Sequence, residues 1–239
     1  MKIKICDRYV RQARVYSAAI GVLPIFVLVS LSLKDCFTDY EILFRNINSI
    51  FQLLGLAGVA SLATGYFFSE IFRETSKWLF QYTKFGKDGS KFPTTKLLLW
   101  RNAEISNDYH DAIYIKVKEE FGIRLPTREE EENDLENAKK VIVEVVRLMR
   151  QSTRQDKILR QYNIEFGFCR NCLGASVWSI VCIVAFFVIN YFAALVPCWY
   201  VLVAFMAQIV LTVGLLAVME KRALDYANCL LATFLSKGK

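Results

Sequence analysis

The sequence predicts an all-α protein with four transmembrane spans, arranged as two hairpins around a central cytosolic helical module. Two observations carry this. Residues 173–219 are a run of 47 without one Asp, Glu, Lys or Arg. One span needs roughly 20 apolar residues, so the run suits two helices rather than one, whereas apolar stretches in soluble cores are typically about 10–14 long. The chain of 239 residues is also 54% hydrophobic, with a mean hydropathy of +0.30, a composition of the membrane class.

Residues 1–14 carry Lys2, Lys4, Arg8, Arg11 and Arg14 against the single Asp7. They form a basic flank for a first hairpin over 15–69. Its first span, 15–33, is longer than the apolar core of a signal peptide and is followed by no A-x-A cleavage site, so it reads as a membrane helix with Pro24 kinking its middle. The loop that follows holds only Lys34 and Arg45 as cations and reads as extracytoplasmic. The second span, 48–68, places Ala57, Ser61 and Gly65 at intervals of four with Gly58 alongside. A face of small residues lets membrane helices approach closely, either within one chain or as a seam between copies.

Residues 70–172 hold 19 Lys and Arg and 17 Asp and Glu, the one polar block large enough for a domain. With this block and both termini on one side of the membrane, 28 of the 30 cations share that side, which the positive-inside rule makes the cytosol. Within the block, 71–82 should extend the second span until the turn residues of KFGKDGSKFP break it. Ser106 can cap a helix over 107–121 that ends at Gly122, although AIYIKVK also alternates like a strand. Thr127 with Glu130 forms a capping box that starts a helix reaching Gln151. Along it, Leu135, Ala138, Ile142, Val145 and Leu148 or Met149 line one apolar face. Residues 156–170 rise into the second hairpin, 173–219, whose turn belongs between Asn190 and Pro197. Lys221 and Arg222 then stop transfer, and the tail, 220–239, is amphipathic enough to lie on the membrane or on the central block.

Chemistry is sparse. Seven scattered cysteines are no secreted disulfide framework. Cys169 and Cys172 in FCRNC form a C-x-x-C, which would need Cys6 or Cys229 to complete a zinc site and otherwise packs at the mouth of the third span. Glu104, Asp108, His110 and Asp111 are the compact acid–base candidates, and a solvated helix start accounts for them equally. The sequence therefore suggests no catalytic, cofactor-binding or metal residue, and no enzyme. The spans contain no ionisable residue suited to a coupled carrier. Gln52 and Gln208 are placed to hydrogen-bond between helices. Arg147, Arg150, Arg154, Lys157 and Arg160 cluster, yet the near balance of charge across the block gives no strong nucleic-acid signal, and the lipid bilayer is the expected partner.

Two hydrophobic hairpins bracketing KFPTTKLLLW, FGIRLPT and LRQYNIEFGF are similar to those of bacterial four-span proteins. The layout of the chain resembles small multi-span membrane components of bacterial anti-phage defence systems. In these, transmembrane helices are joined to a cytosolic module that senses infection or triggers membrane damage. The resemblance covers the architecture of the chain and transfers no functional residue. It implies a sensor or effector in the inner membrane, acting as a homo-oligomer or with a soluble cytosolic partner. An oligomeric channel and a membrane-anchored enzyme are the alternatives.

Overall fold

The computed structural model describes residues 13, 16–21, 23–32 and 66–237, and among these every regular element is a helix. The elements are α1 (Ser17–Gly21), α2 (Leu23–Ser32), α3 (66–76), a π turn (Lys77–Gln81), α4 (Tyr82–Phe85), α5 (Pro93–Leu97), α6 (Asn107–Phe121), α7 (Arg128–Asn133), α8 (Leu135–Ser152), α9 (Lys157–Ala193) and α10 (Cys198–Ser236). Among the described residues, α9 and α10 are long and apolar enough to cross a membrane. Gln52, Ala57, Gly58, Ser61 and Gly65, with Cys6 and Cys36, lie outside the described residues. The chain divides into two compact units, one of Met1–Lys77 with Gly167–Ala217 and the other of Trp78–Phe166 with Val218–Lys239.

In the first unit α9 and α10 form a hairpin. Its turn falls within the expected 190–197 because the buried Asn190 does the work of two backbone groups: its Nδ2 donates to the Val196 carbonyl at 2.9 Å and its Oδ1 accepts from the Val196 N–H at 2.8 Å. Ala194 takes a positive φ of 51° to close the loop. Leu28, Ile183, Phe186, Val196 and Val201 make a core there, joined by Ile25, Ala204 and Phe205. Among the described residues, two glycines permit a close approach of neighbouring segments. A Cβ on Gly174 would lie 1.8 Å from the Phe72 carbonyl oxygen of α3, and one on Gly21 would lie 2.3 Å from the Ala175 Cβ.

In the second unit the local signals act where the sequence places them. Ser106 accepts the Tyr109 N–H, and Gly122 ends α6 in the left-handed conformation at φ 68°. The strand-like alternation of AIYIKVK loses to this capped helix. The capping box of Thr127 and Glu130 is formed in both directions. The helix it starts is shorter than expected, however. Asp134, at φ −143° and ψ 84°, breaks it after Asn133 and caps α8 through the Asn137 N–H. A short acidic side chain that can bond the backbone two or three residues on competes with helix continuation, and here it wins. Ala138, Ile142, Val145, Val146 and Met149 bury one face of α8.

The tail is the end of α10. Tyr226, Ala227, Leu230, Leu231 and Phe234 are buried, Phe234 stacks on Phe121 with centroids 5.7 Å apart, and Lys116 donates to the Leu235 carbonyl at 2.9 Å. Lys116 also bonds the Lys237 carbonyl, so one cation satisfies carbonyls that a helix end otherwise leaves open.

Candidate functional site

A connected polar cluster lies in the second unit, where residues 98–101 are fastened between α6 and α7. Glu131, with a side chain 3% exposed, accepts the Trp100 N–H at 2.7 Å, the Arg101 N–H at 3.3 Å and the Arg101 Nε at 3.1 Å. The acidic run of α7 puts it there: three of its carboxylates face solvent, and the helical turn directs Glu131 inward. The Trp100 indole donates to the Pro126 carbonyl at 3.1 Å, and Tyr114 donates to the Leu98 carbonyl at 3.2 Å. On Trp100 lies His110, with ring centroids 4.7 Å apart and planes 19° from parallel.

His110 departs from the expected solvated helix start. It is 1% exposed, whereas Glu104, Asp108 and Asp111 are exposed, so the four residues do not converge. Position on the helix decides this: His110, Ile113 and Val117 share the buried face of α6. Among the described residues neither ring nitrogen makes a hydrogen bond of good geometry, the nearest approach being the Leu97 carbonyl. Burial pushes the imidazole below the ordinary histidine range, against the opposing pull of the Leu97 carbonyl, Glu131 and Asp111. Burial also pushes the Tyr114 phenol above its ordinary range.

The sign of the resulting pH dependence is fixed. The unfolded chain takes up a proton on His110 near pH 6.5, and the folded chain resists it. Stability is therefore full above that value and falls as pH drops through it, by up to about 1.4 kcal/mol per pH unit until the lower folded pKa is reached. His110→Phe keeps the ring stack and removes the titration. We expect the fall in melting temperature between pH 7 and pH 5 (about neutral to mildly acidic) to shrink in this variant; an unchanged fall would exclude His110 as its source.

An open cleft of about 380 Å³ beside α7 and α8 is walled by Arg124, Glu130, Asn133, Asp134 and Asn137. It brings one cation against carboxylates and amides, with no nucleophile next to a base. Cys169 and Cys172 are both buried on α9, and no group of three His, Cys, Asp or Glu side chains able to hold a metal occurs among the described residues. Of the residues singled out for helix packing, Gln208 is described. It is fully buried, and its Oε1 accepts the Ser179 hydroxyl at 2.9 Å, a hydrogen bond between α10 and α9.

Sequence reasoning passed over Glu131 and Gly174. The first sits in a run of four glutamates whose composition suggests solvent. The second lies in a Gly-Ala-Ser triplet whose small size is the signal that could have found it. Comparison of the chain with protein-family models, curated proteins and solved structures finds no match.

Proposed function

We propose that the chain is a four-span protein of the bacterial inner membrane that acts there as a sensor or effector, in the manner of the anti-phage defence components it resembles. The observation that most supports this is the outward face of α10. Leu202, Val203, Met206, Val210 and Val213 are exposed, and 11% of the apolar stretch of this helix is buried. A core helix of a soluble protein would bury most of such a stretch, and an apolar face of this extent in water invites aggregation. In a bilayer it needs no cover, and the helix satisfies its own backbone groups.

In this reading residues 70–172 and both termini lie in the cytosol, in line with the placement of 28 of 30 cations. α9 and α10 each contribute residues to both compact units. In this reading the chain acts as a homo-oligomer or with a soluble cytosolic partner; any pore it opened would need several copies, because four helices per chain are too few to enclose one.

Topology reporters test the placement. Fusions at Ser90 should be active on the cytosolic side and fusions at Asp39 on the outer side; the reverse at either position sinks the reading. Purified protein in sealed liposomes should hold an ion gradient without a trigger, and constitutive flux would replace the sensor with an open channel.

A further inference from the structure

α8 carries a second face that nothing among the described residues covers. Glu136, Lys140, Glu144, Arg147 and Gln151 are all exposed and follow one another at steps of four, four, three and four, with exposed Arg154 three residues further on, just past the helix end. These steps keep them within one narrow sector of the helix, opposite the buried Ala138, Ile142, Val145 and Met149. Among the described residues, Glu144, Arg147 and Arg154 have no ion-pair partner; Glu136 is paired with Lys139 along the helix.

We infer that this face binds the same face of a second copy of the chain, with the two α8 helices antiparallel about a twofold axis. The inference rests on the oligomeric reading above and names its surface. The order of charges carries it. In the antiparallel register Glu144 stands opposite the partner's Arg147, and the symmetry repeats the pair with the roles exchanged. The same register sets Lys140 against the amide of the partner's Gln151 and Glu136 against the turn that holds the partner's Arg154. No like charges stand directly opposite one another in this register. A phosphate backbone fits the stripe poorly, since Glu136 and Glu144 interrupt the cations. A partner bearing both signs in reverse order fits it, and the stripe itself is such a surface. Exposed ion pairs are individually weak, but copies held in one membrane meet at high effective concentration, so a weak contact is sufficient.

Charge reversal tests this with full-length protein reconstituted in liposomes at low salt, where energy transfer between labelled copies is followed over a dilution series in lipid. Glu144→Arg places like charges across the axis, and so does Arg147→Glu. Each should weaken self-association by about tenfold, the size expected when two symmetric pairs turn from attraction to repulsion. The double variant Glu144→Arg with Arg147→Glu restores both pairs and should regain wild-type association. Both substituted positions are exposed, so melting temperatures should stay equal. Oligomers unchanged in both single variants would overturn this face and leave the oligomeric reading standing. Failure of the double variant to recover would also overturn it. A wild-type chain that is monomeric throughout the series would remove the face and the oligomeric reading together.

Discussion

Replacing Gly174 by alanine should unseat α3 from α9 and strongly lower the stability of the apolar unit. A Cβ at this position would lie 1.8 Å from the Phe72 carbonyl oxygen, 2.7 Å from its carbon and 3.0 Å from the Ser76 Cβ. Two of these atoms are backbone, so no side-chain rotation relieves the clash and one helix must move. Overpacking usually costs about 1–3 kcal/mol where neighbours can adjust. Here the movement also breaks contacts that depend on the close approach, including the Trp178 indole donating to the Thr75 hydroxyl at 3.0 Å. We expect a loss of at least about 3 kcal/mol, at the upper end of that range. Gly214→Ala is the control. Nothing lies within 4 Å of a Cβ there, and alanine is the better helix former by about 1 kcal/mol, so that variant should melt no lower than wild type. Thermal melting in mild detergent compares the two. A Gly174→Ala protein that melts with wild type would mean that α3 and α9 are not packed this closely.

Gly174 also marks where the sequence stops being legible. What depends on a few neighbouring residues could be read directly: the Ser106 cap, the Thr127–Glu130 box, the left-handed Gly122 and the turn before Pro197 all appear where local chemistry puts them. The break at Asp134 is also local, but two caps compete within eight residues, and the periodic apolar face of α8 hides the seam between them. Contacts between distant segments are a different matter. That His110 faces inward follows from helical periodicity, but that it lies on Trp100 depends on how residues 98–101 return across α6. Gln208 was identifiable as a residue that must find a partner in an apolar segment, while the identity of that partner, Ser179, depends on the register of the hairpin. Ala57, Ser61 and Gly65 are legible as a small-residue face because their spacing is regular. The close approach visible among the described residues uses Gly174 and Gly21, which have no repeat to announce them.

Removing the Glu131 carboxylate should be the most damaging single change in the polar unit. Glu131→Ala strips the acceptor from the Trp100 and Arg101 N–H groups together and leaves a gap beneath the loop they begin. A buried donor left without a partner costs about 1–3 kcal/mol, so two of them place the loss at roughly 2–4 kcal/mol once partial rehydration of the second is allowed for. The guanidinium of Arg101 adds little to this sum, because that side chain is 56% exposed and regains water when its partner goes. Three variants separate the contributions. Glu131→Gln keeps the volume and one acceptor oxygen but turns an amide donor toward a backbone donor, so it should fall between wild type and Glu131→Ala. Arg101→Ala removes the ion pair alone and should cost less than about 1 kcal/mol. Thermal unfolding followed by far-ultraviolet circular dichroism ranks them. Should Arg101→Ala prove as costly as Glu131→Ala, the ion pair and not the backbone N–H groups would be holding the loop. The expected order, with alanine at 131 worst and alanine at 101 nearly silent, follows from burial: the carboxylate is enclosed and its charged partner is not, so the energy resides in the donors that only Glu131 can reach.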